Sequence, residues 1–444
     1  MENQAAIFND SKVSKAYIRL SLPLVFSMIV TMIYNLADTF FVAQTNDTNL
    51  VAGVSLGAPL FTLLMAFGNI FGQGGSSLIS RLMGKQDREG VQHVSSFCFY
   101  TTILIGVICA VLMLVFRVPI LYLIGANQDT FVHASNYYIF LAIGAPVIML
   151  SFIHSNLLRS EGMSKESMAG TVSGALVNII LDPIFISVLG LGASGAAIAT
   201  VIGYLFADIF YGLMVVKKSR MLSVNPRQVK IPRAHVGQII GIGVPAAIVN
   251  IMSSISIVLM NQFLLPFGNE KIAAMGIVLK VNMIVLLLLT GFAFGGQPLY
   301  GYYYGAGDKQ KLSQLFRFCL RFISTIAVIL TAIVFLAAPL LMRCFMDNES
   351  IVSDGTLMLR WQVISNVFVE IVLLITIVFQ SMGKVLGSFI LSISRQGVIF
   401  LVVLMIAYFT AGYMGILVSQ AISDFITAGL ALVLFYMQCY KEFH

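Results

Sequence analysis

The sequence has 444 residues, of which 59% are hydrophobic and only 10% charged, with a formal net charge of +7. A water-soluble chain of this length could not hide so much apolar surface, whereas a chain dissolved in lipid need not hide it, so the reading is an all-α integral membrane protein. The five cysteines, Cys98, Cys109, Cys319, Cys344 and Cys439, are scattered and form neither a disulfide framework nor a metal-ligand spacing.

Lys12, Lys15 and Arg19 precede the first apolar stretch. That stretch is too long for a signal-peptide core and no small-residue cleavage site follows it, so the first helix is expected to be retained. Crossing a bilayer takes roughly 20 apolar residues per helix. Twelve stretches qualify, near 16–43, 52–80, 92–116, 134–158, 166–189, 193–216, 236–265, 272–300, 313–341, 355–381, 385–409 and 412–438. Pro23, Pro59, Pro146, Pro183, Pro245 and Pro298 fall inside them and are expected to kink their helices, because each removes a backbone donor.

Basic residues mark alternate connections. With a cytoplasmic N-terminus, the inner segments hold Lys12, Lys15 and Arg19; Arg81, Lys85 and Arg88; Arg159 and Lys165; the run from Lys217 to Arg233; Lys309, Lys311, Arg317 and Arg321; and Lys384 and Lys441. Only Arg117, Lys271 and Arg343 are left outside. This bias predicts a multi-pass protein of the cytoplasmic (inner) membrane with both termini cytoplasmic. The basic stretch 217–235 then reads as a central linker attracted to anionic lipid, not as a nucleic-acid site.

The chain repeats itself at an offset near half its length. Ser21-Leu22-Pro23 matches Gly243-Val244-Pro245; Gly68 and Gly72 match Gly291 and Gly295; Ser160-Glu161-Gly162 matches Ser381-Met382-Gly383; Gly195 matches Gly415. Six spans per unit give both halves the same orientation, as parallel repeats. The expectation is twelve transmembrane helices in two pseudo-symmetric six-helix lobes: 1–216 as the N-terminal lobe, 217–235 as the linker and 236–444 as the C-terminal lobe.

Ionisable groups inside a bilayer are costly and are functional candidates by default. Five acids lie in spans, Asp38, Asp182, Asp208, Glu370 and Asp424, with two bases, Lys280 and Arg395. Asn35 and Asp38 are three residues apart and Asn178 and Asp182 four, so each pair shares a helix face. If those faces meet, two carboxylates flanked by amides form a site that holds either a proton or a sodium ion; the alternative is that both acids merely cap kinks or bond between helices. Lys280 is read as neutralising Glu370 or Asp424, or as a substrate contact. Asp208 and His154 are read as packing residues. The glycine pairs at 68 and 72, 170 and 174, and 291 and 295 are expected to let helices approach closely. Gln73, Asn156, Gln297 and Gln380 are polar at matched positions of spans two, four, eight and ten, and with Glu370 they are the candidate substrate-cleft residues.

An enzyme is not expected. Gly192-Ala193-Ser194-Gly195 fits a short intramembrane-protease pattern, but no histidine follows in a later span. Neither a zinc-binding HExxH nor a phosphate-binding loop is present in the sequence. No cofactor is expected beyond a coupling proton or Na+.

The pattern Pro23…Asn35-Leu36-Ala37-Asp38-Thr39-Phe40-Phe41-Val42, the stretch Asn156-Leu157-Leu158-Arg159-Ser160-Glu161-Gly162…Met168…Asn178-Ile179-Ile180-Leu181-Asp182-Pro183-Ile184-Phe185, and the run Leu189–Thr200 resemble the multidrug and toxic compound extrusion (MATE) transporters. The resemblance covers nearly the whole chain and favours the proton-type branch. It implies a secondary antiporter that expels cationic or neutral aromatic compounds against inward flow of protons or sodium ions. It places coupling on Asp38 and Asp182, with Asn178 as the amide, Thr200 as a hydroxyl partner and Tyr137 or Tyr138 as a phenol partner. Glu370 falls where some sodium-type members carry an acid, but their glutamate in span seven is missing: that span offers Asn250, Asn261 and Gln262. In the repeat, Asp38 maps near Met260 and Asn261, and Asp182 maps to Val403, so the acid pair is not a feature of the repeated unit itself. The alternative function is a lipid or glycan-lipid flippase of the same superfamily. Five intramembrane acids against two bases favour neutral or cationic cargo. The expected partners are small organic cations and membrane lipid, without nucleic acid, for a protein acting as a monomer.

Overall fold

The computed structural model describes residues 7–8, 12–345 and 348–443, with no side-chain description at residue 350. Among the described residues the secondary structure is entirely helical. In chain order the helices are α1 (Val13–Ala43), α2 (Thr48–Ser55), α3 (Ala58–Gly84), α4 (Arg88–Val115), α5 (Arg117–Leu123), α6 (Phe131–Ile143), α7 (Ala145–Ser160), α8 (Ser164–Pro183), α9 (Gly192–Lys217), α10 (Arg233–Leu264), α11 (Asn269–Gly295), α12 (Gln297–Ala306), α13 (Lys309–Phe345), α14 (Glu349–Met382), α15 (Val385–Ile393) and α16 (Ile399–Phe443).

Ten stretches are each long and apolar enough to cross a membrane, and α6 with α7, bent by 54°, makes an eleventh. One of the ten, Val385–Phe443, has 59 residues, far more than one crossing needs. It contains Gly412 at φ 53° and ψ −128°. A Cβ on Gly415 would strike the Ala407 carbonyl, although eight residues of continuous helix span about 12 Å. The chain therefore folds back at Gly412, and this stretch supplies two crossings. The total among the described residues is twelve.

The prolines act in two ways. Pro59, Pro146 and Pro298 stand at the first turns of α3, α7 and α12, so the helix restarts there instead of kinking through. Pro183 ends α8 in a π-helical turn, Ile184–Val188. Pro23 and Pro245 stay inside continuous helices.

The chain divides into two compact units, and the division falls within α1 and α10 next to those two prolines, not in the basic linker where the sequence reading put it. One unit holds 26–243 with Ile7 and Phe8; the other holds 12–25, 244–345 and 348–443. In the first, α3 lies on α7, where Gly68 faces the Met149 carbonyl and Gly72 faces Asn156. There, α8 lies on α9, with Gly174 against the Gly203 carbonyl and Gly170 against the Tyr211 ring. In the second, Gly295 admits Ser21 and the Tyr17 hydroxyl donates to the Phe292 carbonyl at 2.8 Å. These small residues let backbones approach closely where lipid offers no hydrophobic drive for helix association.

The basic linker is a folded strap on the first unit. Ser95 and Ser96 hydroxyls donate to the Ser223 carbonyl, both at 3.0 Å. Tyr100 donates to the Val224 carbonyl, Gln228 to Gln92, and His93 Nδ1 to the Lys230 carbonyl at 2.8 Å. Glu161, buried in the turn between α7 and α8, accepts the backbone N–H groups of Arg220 and Met221 at 2.9 and 3.1 Å, and the Ser219 hydroxyl. Burial pushes the Glu161 carboxyl above its ordinary range, and these donors offset part of that rise.

Candidate functional site

The first unit carries the acids. Asp38 lies one turn from the end of α1 and Asp182 at the end of α8, both at the end of the unit opposite the strap. Asp182 is fully buried, and its charge and that of Asp38 act on each other. Asn178 Nδ2 donates to Asp182 Oδ1 at 3.4 Å. Asp38 Oδ1, Asp182 Oδ2 and Asn178 Oδ1 are buried without a hydrogen-bond partner among the described residues. Leaving three oxygens unsatisfied is costly in a low-dielectric interior.

The two faces inferred from spacing therefore meet. Asn35, Asn178 and Thr200 line one cavity of about 190 Å3, together with Thr31, Tyr34 and Tyr204. Its far end is closed by Thr171 and Tyr211, whose hydroxyls lie 2.8 Å apart. Gly174 and Gly203 form its floor by letting α8 and α9 cross backbone to backbone.

The phenol alternatives separate. The Tyr137 ring sits within electrostatic reach of both Asp38 and Asp182, in space left by Gly57, where any Cβ would strike it. Tyr138 points elsewhere and donates to the Met113 carbonyl at 2.7 Å. Tyr138 is therefore corrected to a helix-packing residue. Adjacent positions on a helix face about 100° apart, so the two could not share the site.

Three site tyrosines escaped the sequence reading. Tyr34 is one turn before Asp38, feels both acids, and is hydrogen-bonded to Tyr204. Tyr204 and Tyr211 continue the Thr200 face of α9 at helical spacing. The signal was available as the i, i+4 steps from Tyr34 to Asp38 and from Thr200 to Tyr204.

The proposed cleft residues do not join this cavity. Asn156 donates to the Phe152 carbonyl at 2.6 Å and accepts from Arg159, and Gln73 is not among the lining residues. Gln297, Gln380 and Glu370 belong to the second unit and are buried there. Glu370 accepts the Ser324 hydroxyl, and Asn366 donates to Asn282 at 2.8 Å. Asp424 is paired with Arg395 at 3.2 Å and accepts Gln420 at 2.9 Å. Arg395, not Lys280, thus neutralises Asp424, and Lys280 is exposed on α11. Among the described residues, no group of three or more His, Cys, Asp or Glu side chains is placed to hold a metal ion.

Comparison with known proteins supplies an independent view. The MatE family model matches twice, over residues 23–184 and 245–406. The two matches start at Pro23 and Pro245, the positions paired by the internal repeat. The chain is 30% identical over 435 residues to Multidrug export protein MepA of Staphylococcus haemolyticus, covering 98% of this chain and 96% of that protein. It is 31% identical over 436 residues to the protein of the same name from Staphylococcus aureus, with the same coverage. Among solved structures, an outward-facing multidrug resistance MATE family transporter of the MOP superfamily superposes with a TM-score of 0.93 at 25% identity, over 100% of this chain and 99% of that one. A MOP superfamily transporter from Pyrococcus furiosus, described as having a binding pocket of reverse polarity, gives 0.92 at 26% identity over the same shares.

Proposed function

This chain belongs to the MATE family of membrane transporters, and from that premise we propose that it is a secondary antiporter exporting cationic or neutral aromatic compounds in exchange for inward protons. It is a multi-pass transporter and not an enzyme. The observation that carries the reading is the Asp38–Asp182 site: two mutually acting carboxylates, each with an unpartnered oxygen, beside a cavity walled by amides, hydroxyls and aromatic rings. Two like charges in a poorly hydrated site call for a compensating cation. A cationic cargo and a proton are then alternative ways to compensate the same negative charge. Coupling follows if each stabilises a different state of the transporter. The aromatic walls, Phe61, Phe152, Tyr34 and Tyr204, suit flat cargo. The positive-inside bias supports cytoplasmic termini in the cytoplasmic membrane, and the protein acts as a monomer without a cofactor.

The test is efflux of a fluorescent aromatic cation from energised cells lacking other pumps, comparing wild type with Asp182→Asn at equal membrane abundance. Export by wild type alone is expected. Export by both removes this site from the mechanism, and export by neither shifts the cargo toward lipid or glycan-lipid. Driving vesicle transport with a pH gradient or a sodium gradient alone separates the two coupling ions.

A further inference from the structure

His154 on α7 and Asp208 on α9 form a second buried pair in the first unit, both under a tenth exposed. His154 Nδ1 donates to Asp208 Oδ1 at 3.3 Å, and Asp208 also takes a hydrogen bond from Ser151. Two atoms of the pair, His154 Nε2 and Asp208 Oδ2, are buried with no hydrogen-bond partner among the described residues. A packing pair has no use for two unsatisfied polar atoms, each of which destabilises the fold. The Phe99 ring lies 5.3 Å from the imidazole on the α4 side and the Tyr211 ring 6.3 Å away on the α9 side. The charged and titratable groups facing the pair are Tyr204 and Tyr211 from α9 and, beyond Tyr211, Arg159 from α7; α8 faces this region with the hydroxyls of Ser167 and Thr171.

The placement relative to the acid site is what matters. Along α9, Thr200 and, one turn on, Tyr204 line the cavity with Asn178, and Tyr211 closes it; Asp208 is one turn beyond Tyr204, next to the lining residue Ala207 and off the wall itself. Eight helical residues cover about 12 Å, so Asp208 stands about that far along α9 from Thr200, behind a mostly apolar wall interrupted by the hydroxyls of Ser151, Thr171, Tyr204 and Tyr211. Between them the Tyr34 and Tyr204 hydroxyls are already hydrogen-bonded, with Tyr34 facing Asp38 and Asp182 and Tyr204 facing Asp208. Asp38 and Asp182 lie at the end away from the strap, and His154 at the strap end of α7.

We propose that His154 and Asp208 are a second proton-exchanging site, on the strap side of the cavity, that receives the proton released by Asp38 and Asp182. In each transfer the Asp182 carboxyl loses its proton. Every hydroxyl or water between the two sites breaks one O–H bond and makes one. Neutral His154 accepts the proton at Nε2, and the resulting imidazolium is balanced by the Asp208 carboxylate. Release of that proton to solvent at the strap end restores the neutral ring, so no charge accumulates. His154 and Asp208 touch no cargo in this scheme; they are relay residues, and the proposal rests on the proton-exchange reading above.

The experiment uses the purified full-length transporter in liposomes with ethidium as the probe. Ethidium exchange at equal pH on both sides needs no net proton movement, whereas uptake driven by a pH gradient does, and an enclosed pH dye reads the proton flux. His154→Gln and Asp208→Asn are expected to exchange ethidium within about two-fold of wild type while gradient-driven proton flux falls about ten-fold, because cavity water replaces a positioned relay only in part. Asp208→Glu, which keeps an acid, is expected to recover flux that Asp208→Asn loses, with a displaced pH profile. Wild-type proton flux and pH profile in both variants overturn the relay. Loss of exchange together with flux overturns it as well, since the pair is then structural. Wild-type protein that exchanges ethidium but moves no protons down a pH gradient sinks the coupling reading instead.

Discussion

The two units repeat one six-helix plan, yet only the first brings two buried acids close enough to act on each other. In the second unit the acids stand apart from one another: Asp424 pairs with Arg395, Asp354 pairs with Lys271, and Glu370 takes the Ser324 hydroxyl on one oxygen while its Oε2 is buried without a hydrogen-bond partner among the described residues. In the first unit Asp38 and Asp182 act on each other's charge, each with a bare oxygen, near a cavity lined by their helix-face neighbours Asn35 and Asn178. A shared fold therefore does not require the unpaired acids. A charge with a counter-ion serves structure, and on the reading proposed above the mutually acting acids beside the cavity are the ones that exchange a ligand.

The contrast can be broken most sharply by neutralising one acid in each unit. Asp38→Asn is expected to reduce uphill efflux of the aromatic cation to that of cells without the transporter, at unchanged membrane abundance and folding. Glu370→Gln is expected to leave most of it. Equal losses would erase the distinction between the units. The next effect is on stability. Arg395→Met strands Asp424 in the second unit and is expected to cost about 3–5 kcal/mol, read as a lower midpoint in detergent thermal unfolding. Adding Asp424→Leu should recover most of it.

A smaller effect comes from the floor of the cavity. Gly174→Ala puts a Cβ 2.7 Å from the Gly203 carbonyl, which forces α8 and α9 apart at an expected cost of about 1–3 kcal/mol and weakens cation binding. Glu161 gives the smallest effects. Glu161→Ala leaves the Arg220 and Met221 N–H groups without their acceptor on the partly exposed strap, where water replaces it, an expected total loss of about 1 kcal/mol, seen as faster proteolysis of the strap. Glu161→Gln keeps an acceptor oxygen and should cost less. Because burial raises this carboxyl, the docked strap binds its proton more tightly than the free strap does. Its contribution is full below the ordinary value of 4.5 and fades as pH rises through the raised value. Strap protection should therefore weaken as pH rises, and Glu161→Gln should flatten that dependence.

The sequence by itself determined the membrane class, the twelve crossings, the doubled architecture and the helix faces shared by Asn35 with Asp38 and by Asn178 with Asp182. Those follow from local quantities: apolar length against bilayer thickness, residue spacing against helical period, and the cost of an acid in lipid. Tertiary structure alone decided which faces meet. It chose Tyr137 over Tyr138, brought in Tyr34, Tyr204 and Tyr211, joined His154 to Asp208 across 54 positions, and gave Asp424 to Arg395 instead of Lys280. It also folded the basic linker onto Glu161 through hydroxyl and backbone groups that carry no signature in composition. The physical reason is one of range. Hydropathy and periodicity act within a helix, whereas hydrogen-bond partners depend on the rotation of each helix about its own axis. That rotation is set by contacts such as Gly174 on Gly203, made between residues far apart in the chain.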